Sequence, residues 1–211
     1  MVAWVTAAAS RSLGAAVSIR GVAAGVGAGA ASLYRYLKSH DELVELMVDT
    51  VSAEYDLDPS GEPPQIQLLN LARQGRAMMH GHPWLAPLLL TRPSMGPNSL
   101  RYLGRALSAL QAVDMPGPAK LQTVAMMTAI TSAFVQNELA AAASAAASGT
   151  GDGAAPARFQ YLSEVLSSGD YPLLAGALTG QHEPGRPEEI FTSVMTNYLA
   201  GAGLPVAADS D

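Results

Sequence analysis

The chain of 211 residues contains no cysteine and little charge, since only 14% of its residues are Asp, Glu, Lys or Arg. Without cysteine it can form no disulfide bond and no cysteine-liganded metal site, and its composition is compatible with a reducing compartment. Two apolar stretches lack the features of targeting or membrane segments. Residues 2–9 follow no Lys or Arg, and residues 121–147 are interrupted by amide and carboxylate side chains. We therefore expect a cytoplasmic protein without a membrane span.

Acidic residues outnumber basic ones, 18 to 12, which argues against DNA binding by the molecule as a whole, because DNA affinity comes largely from neutralising phosphates. The distribution of charge along the chain changes this interpretation. The first 40 residues contain four basic residues and no acidic one, giving a net charge of +4, against −10 for the remainder. A basic segment on an acidic body favours docking to DNA by one end, although four charges can also segregate by chance.

Residues 18–43 have the spacing of a helix-turn-helix, in which two crossed helices present the second one to DNA. Ala23 provides a small side chain where the helices cross. Gly27 follows where the chain must turn, since glycine adopts positive φ at little steric cost. Leu33, six residues later, packs the second helix onto the first. Ser39 precedes two acidic residues, which predicts the start of a further helix.

This segment resembles the N-terminal domain of the TetR family of transcriptional regulators. The likeness lies in Val22-Ala23-Ala24 with Gly27, in Ser32-Leu33-Tyr34-Arg35-Tyr36, and in Asp41-Glu42-Leu43. Differences are a short segment before the first helix, a slightly shorter linker, and a histidine at position 40, where many relatives have lysine. The resemblance implies a homodimeric repressor that binds a pseudo-palindromic operator in double-stranded DNA. It also implies release by a small apolar or amphipathic effector, with no enzymatic activity, metal or cofactor.

The second helix of the motif, residues 29–37, is expected to lie in the major groove. Its leading side chains are short, so Ala30 or Ala31 can touch thymine methyl groups and Ser32 can donate one hydrogen bond. Arg35 can reach a phosphate or a guanine edge. The resemblance assigns a backbone contact to Tyr34, which can equally pack between helices. The predicted DNA-contacting residues are Arg20, Gly29, Ala30, Ala31, Ser32, Tyr34, Arg35, Lys38 and His40.

The hydrophobic pattern predicts an all-α fold, because no segment alternates as a half-buried β-strand does. We expect a helix-turn-helix DNA-binding domain at residues 1–45 and a larger helical domain for ligand binding and dimerisation at residues 46–205. Apolar residues recur at helical spacing from Leu43 to Val51, and a Pro-, Gly- and acid-rich stretch at 56–64 ends that helix. Further helices are predicted at 66–80, 82–91, 98–113, 119–147, 157–167, 171–178 and 187–200, with Asn98 or Ser99 capping the third of these.

Methionine and aromatic residues of the larger domain, together with a few polar ones, predict a pocket for an apolar ligand. Methionine adapts to irregular ligands, and polar groups fix their orientation. For any single residue of the set, packing in the core is the alternative. The predicted ligand-contacting residues are Met78, His82, Trp84, Leu88, Met95, Tyr102, Met126, Met127, Thr131, Phe134 and Asn137.

The last predicted helix carries an apolar stripe. The resemblance implies that this helix and the one at 119–147 pair with their symmetry mates across a two-fold axis, in a four-helix dimer interface. The two helix-turn-helix domains of such a dimer, which we call the reading heads, would then lie about one turn of DNA (~34 Å) apart. The stripe consists of Phe191, Val194, Met195 and Tyr198, which can also belong to the core of one protomer.

Two other classes of protein are alternatives to a regulator. The pattern Gly25-x-Gly27-x-x-Ala30 fits a loose dinucleotide-binding fingerprint of oxidoreductases, with Glu45 at the distance of a ribose-binding acid. That fingerprint requires a preceding strand, whereas residues 20–24 indicate helix. The histidines at 80 and 82 are spaced too closely for metal ligands on one helix face. The main alternative is a helical small-molecule-binding or scaffold protein with a degenerate DNA-binding head.

Overall fold

The computed structural model describes residues 39–91, 94–149, 154–179 and 185–204. All regular secondary structure in these ranges is α-helical, so the predicted all-α fold is confirmed for them. The predicted helix-turn-helix residues up to position 38 lie outside the described ranges. Within them, the helices are α1 (His40–Ser52), α2 (Pro64–Gly81), α3 (Leu85–Thr91), α4 (Pro97–Ala109), α5 (Gly117–Gly149), α6 (Ala154–Ser167), α7 (Pro172–Thr179) and α8 (Pro187–Gly201).

The chain divides into two compact units. The first contains α1 to α4, α5 as far as Gln136, and α8 from Thr192. The second comprises Asn137–Phe191, with the end of α5, α6, α7 and the start of α8. The expected boundary between residues 45 and 46 falls inside α1 and stays a prediction, since most of the smaller domain lies outside the described ranges.

Helix α1 begins as its sequence predicts. The Ser39 hydroxyl accepts a hydrogen bond from the backbone N–H of Glu42 at 3.1 Å. Two acidic residues occupy the first turn, where their negative charges interact favourably with the positive end of the helix dipole. Leu43, Met47 and Val51, spaced by four residues, are buried in the first unit. The apolar stripe predicted from Leu43 to Val51 is therefore confirmed as a core face.

Prolines define where the body helices start. Pro64 and Pro97 occupy the first turn of α2 and α4, where the missing N–H has no helical partner to lose. Helix α5 starts at Gly117, two residues earlier than predicted, because Pro118 also fits in a first turn. Helix α4 ends at Ala109, before the predicted residue 113, since the following amides bond three residues back and form turns.

In the second unit, α6 and α7 are joined by a turn in which Gly169 has a φ of 81°, a conformation that favours glycine. The Ser168 hydroxyl donates to the Asp170 carboxylate at 3.0 Å in the same turn. Arg186 and Glu189 form an ion pair at the start of α8. No helix in the described ranges has the length and apolar character that crossing a membrane requires.

Candidate ligand site and linking helix

Two tyrosines stack at the point where the chain leaves α1. Tyr55, three residues beyond the end of α1, lies against Tyr102 of α4, with ring centroids 4.5 Å apart and ring planes inclined by 30°. The Tyr102 hydroxyl lies 3.4 Å from the Thr128 hydroxyl on α5, within hydrogen-bonding distance. Three elements of the first unit therefore meet at one aromatic and polar cluster.

Gly75 of α2 forms the floor of this cluster. A Cβ atom at Gly75 would lie 2.7 Å from the Tyr55 hydroxyl oxygen and 3.9 Å from Cγ2 of Thr131. A side chain at this position would displace the tyrosine, so glycine is needed here for close approach. We call Tyr55, Gly75, Tyr102, Thr128 and Thr131 the tyrosine cluster.

The hydroxyls of the tyrosine cluster are poor acids. Burial raises the pKa of Tyr55 well above its ordinary value, and the nearby charge of an ionised Tyr102 raises it further. Burial also raises the pKa of Tyr102, against the opposing effect of its hydrogen bonds to Thr128 and Tyr55. Both phenols therefore stay neutral at physiological pH.

A second aromatic group lies between α2 and α3. The His82 Nε2 atom is 3.0 Å from the Glu54 carboxylate, and the His82 ring meets the Trp84 ring edge-on with centroids 6.1 Å apart. Among the described residues, the indole Nε1 of Trp84 is buried without a hydrogen-bond partner. The same holds for Arg105 Nε and the Ser132 hydroxyl. A buried donor without a partner is costly and suits a ligand that can accept its hydrogen bond.

The structure places some predicted ligand-contacting residues together and others apart. Tyr102 and Thr131 belong to the tyrosine cluster, although the Thr131 hydroxyl donates to the Met127 carbonyl of its own helix at 2.8 Å. His82 and Trp84 form the second group. Phe134 packs under the Arg76 guanidinium, 5.7 Å from its ring centroid.

The remaining predicted residues differ in burial. Met78 and Met127 are buried in the core, and Leu88 is half-buried. Met95, Met126 and Asn137 are exposed on the surface of the chain, with Met95 67% exposed. These three therefore do not line an enclosed pocket of the single chain.

Sequence reasoning missed Tyr55, Gly75 and Ser132. Tyr55 follows a helix and precedes an acidic loop, so no periodicity marks it. Gly75 resembles any other glycine inside a helix, and Ser132 is one of several small polar residues along α5. Only the packing of the first unit identifies them.

The residues that the structure describes line two concave regions on the first unit. One, of about 230 Å³, adjoins Tyr55 and is lined mainly by polar residues, among them Asp56, Asp58 and Arg101. The other, of about 620 Å³, is an open groove between α4 and α5 that includes Leu107, Lys120 and Leu121. In the described ranges, no three His, Asp or Glu side chains form a group suited to a metal ion.

The predicted dimer residues occupy different faces of α8. Phe191 and Met195 are fully buried within the single chain, and the Tyr198 hydroxyl donates to the Thr123 carbonyl of α5 at 3.1 Å. Val194 is 40% exposed, and Ile190, which was not predicted, is 42% exposed. The face of α8 available to another molecule therefore contains Ile190 and Val194.

Of the predicted DNA-contacting residues, the described ranges contain His40. His40, the first residue of α1, has an exposed side chain 3.9 Å from the Asp41 carboxylate. The other predicted contacts, which lie outside the described ranges, are Arg20, Gly29, Ala30, Ala31, Ser32, Tyr34, Arg35 and Lys38.

The helical body can be compared with known families. Residues 59–202, more than half of the chain, match the tetracycline repressor-like C-terminal domain. The chain therefore belongs to the TetR family of transcriptional regulators, as its N-terminal motif indicated.

Two curated relatives are similar in sequence. The HTH-type transcriptional repressor DrrR1 of Streptomyces coeruleorubidus is 29% identical over 162 residues, which cover 75% of this chain and 60% of the relative. An HTH-type transcriptional regulator of Saccharopolyspora erythraea is 33% identical over 97 residues, covering 46% of this chain and 41% of the relative. The chain thus spans less than two thirds of the length of either relative.

Solved structures share the fold. ActR of Streptomyces coelicolor in complex with (S)-DNPA has a TM-score of 0.73 at 20% identity, covering 97% of this chain and 98% of that one. ActR in complex with actinorhodin has a TM-score of 0.69 at 23% identity, covering 96% and 98%. At these identities the likeness shows a common fold.

Proposed function

We propose that the chain is a homodimeric repressor that binds a pseudo-palindromic operator in double-stranded DNA and is released from it by a small apolar or amphipathic effector. The observation that carries this proposal is the tyrosine cluster at the end of α1. It brings the segment directly after α1, the helix that follows the predicted reading head, into contact with the helices α2, α4 and α5. A ligand at this cluster can therefore act on the head.

The effector class follows from the side chains that would receive it. Stacked tyrosines and Trp84 favour a flat, unsaturated molecule, since aromatic rings stack on one another. Neutral phenols and the unpartnered indole N–H favour a ligand with carbonyl or hydroxyl oxygens. The solved ActR complex with actinorhodin supports a ligand-binding role for this fold.

Release is proposed to occur as a population shift. A ligand that inserts at the cluster would separate Tyr55 from Tyr102, and Tyr55 is only three residues from α1. If the ligand binds better when α1 has moved, it lowers operator affinity by the same factor by which DNA lowers ligand affinity.

DNA binding is tested with the double variant Arg35→Ala, Lys38→Ala. Loss of two phosphate contacts per protomer, and so four per dimer, should weaken binding to the DNA upstream of the chain's own gene and reduce the slope of log affinity against log salt by about 3.6, at about 0.9 per contact. Fluorescence anisotropy between about 50 and 200 mM salt measures both. The control Arg101→Ala, Lys120→Ala removes the same charge from the body and should keep nearly full affinity.

Several results would contradict the proposed function. An equal loss of DNA affinity in the control variant would show that net charge alone governs binding. Unchanged affinity of the Arg35 and Lys38 variant would refute the docking face. Weak binding by the wild type, equal for all DNA sequences, would instead indicate the alternative of a helical ligand-binding protein with a degenerate head.

A further inference from the structure

Asp49 on α1 is a buried carboxylate that is bonded to the start of another helix. Its side chain is 6% exposed. Oδ1 accepts the backbone N–H groups of Asn98 and Ser99, each at 2.9 Å, and Oδ2 accepts the side-chain amide of Asn98 at 3.1 Å. These two N–H groups belong to the first turn of α4, where backbone donors have no partner within the helix.

Helix α4 has no cap of its own. The residue at its N-cap position is Gly96, which offers no side-chain acceptor. A Cβ atom at Gly96 would lie 2.2 Å from Cγ of Asp49, so glycine is required for the carboxylate to approach. The N-cap of α4 is thus supplied by α1, with a negative charge placed at the positive end of the helix dipole.

Neighbouring residues of α1 reinforce this junction. The Glu45 carboxylate accepts the N–H of Met95 at 3.3 Å, and the Ser52 hydroxyl lies 3.1 Å from the Ser99 hydroxyl. Residues 45, 49 and 52 share one face of α1, because they are four and three residues apart. That face is therefore held against the beginning of α4 by polar contacts, with Asp49 at its centre.

We propose that Asp49 is the positioning residue that fixes the direction of α1 on the body and thereby sets the affinity for DNA. The DNA part of this inference rests on the proposed function, since α1 follows the predicted reading head directly. The capping bonds are directional and fix one orientation, whereas apolar contacts along α1 tolerate sliding. Removing the carboxylate leaves α1 packed but no longer held at one angle.

The angle is measured with a pair of spin labels. The chain contains no cysteine, so Asp41→Cys on α1 and Ser108→Cys near the end of α4 give two specific attachment sites. Double electron–electron resonance, with excess unlabelled chain to suppress distances between protomers, should give a narrow distribution for the parent. Asp49→Ala should broaden or shift it, and Asp49→Asn, whose amide oxygen can still accept from the backbone, should show a smaller change.

DNA affinity is measured on the same variants without labels, at a temperature where circular dichroism shows each to be fully folded. Loss of the N-cap should weaken binding by roughly 2- to 30-fold in Asp49→Ala and by less in Asp49→Asn. Asp114→Ala removes an exposed carboxylate from a loop and should change neither reading. Gly96→Ala, which obstructs the carboxylate without altering it, should reproduce the effect and replaces Asp49→Ala if that variant does not fold.

An unchanged label distribution in both Asp49→Ala and Gly96→Ala would overturn the positioning role. So would an altered distribution with full DNA affinity. If the parent itself binds no specific DNA, the proposed function fails, while the label distances still decide whether Asp49 fixes α1.

Discussion

At the residue scale, Gly75 and Gly104 provide a matched pair that tests the tyrosine cluster. Both lie inside helices, α2 and α4, but a Cβ at Gly75 would meet the Tyr55 hydroxyl, whereas nothing lies within 4 Å of a Cβ at Gly104. Glycine inside a helix costs about 1 kcal/mol relative to alanine. Replacement by alanine should therefore stabilise a helix wherever there is space for the methyl group.

We predict that Gly104→Ala raises the free energy of unfolding by about 0.5–1 kcal/mol. Gly75→Ala should lower it, because overpacking typically costs about 1–3 kcal/mol and exceeds the helix gain. Urea unfolding followed by circular dichroism measures both values. Equal stabilisation by the two substitutions would mean that Tyr55 moves aside without cost, and the cluster would then not hold α1 in place.

The same cluster shows what single residues reveal in sequence. Tyr102, Thr131, His82 and Trp84 were predicted as ligand contacts because large or polar side chains among apolar helices are conspicuous. Tyr55 was not predicted, since its role depends on which helix the chain meets after α1. The sequence indicates which types of residue line a pocket. It does not indicate which residues pack against each other there, because that depends on contacts between distant segments of the chain.

At the element scale, the helices were largely predictable and their junctions were not. The apolar spacing of α1 and its Ser39 cap are local features, and both are present in the structure. The start of α4 was expected to be capped by Asn98 or Ser99. These two residues instead donate to Asp49, which lies about 50 positions earlier in the chain. A cap supplied by another helix leaves no local signal.

Helix α8 supports a prediction about assembly. Val194 is 40% exposed on α8, and the family resemblance assigns this helix to the dimer interface. Val194→Glu should convert the proposed dimer to a monomer, because a two-fold axis buries the new charge twice, at several kcal/mol per unpaired ion. Sedimentation velocity measures the mass, and circular dichroism checks the helix content.

Leu174→Glu provides the control for this substitution. Leu174 on α7 is 43% exposed, so the same charge is introduced at an apolar residue of similar exposure. This variant should remain dimeric. A dimeric Val194→Glu would show that the exposed face of α8 is not the interface, and dissociation of both variants would show a general effect of added charge.

At the scale of the whole molecule, the charge distribution and the junction of α1 with the body lead to one expectation about coupling. The first 40 residues are basic and the remainder is acidic. We therefore expect attraction to DNA at one end of the chain and ligand binding in the rest. Helix α1 follows the basic segment in the chain and contacts the rest of the first unit through Asp49, with Tyr55 three residues beyond its end. Two ligands that act through one such element must affect each other's binding equally.

We therefore predict reciprocal coupling between DNA and any compound that releases it. Such a compound should lower operator affinity by about 5- to 150-fold, and operator DNA should lower the affinity for the compound by the same factor. The Trp4→Phe variant leaves Trp84 as the single tryptophan, so its fluorescence can report binding of the compound. Titrations with and without operator DNA then give both factors.

The comparison of these factors distinguishes coupling from competition. A compound that releases DNA by occupying the reading head would abolish binding of DNA at saturation, whereas coupling through α1 leaves a finite, weaker affinity. Asp49→Asn should reduce the coupling factor and retain the Trp84 response, because it loosens α1 without altering the aromatic residues. Release of DNA with no change in Trp84 fluorescence would place the effector away from the second aromatic group.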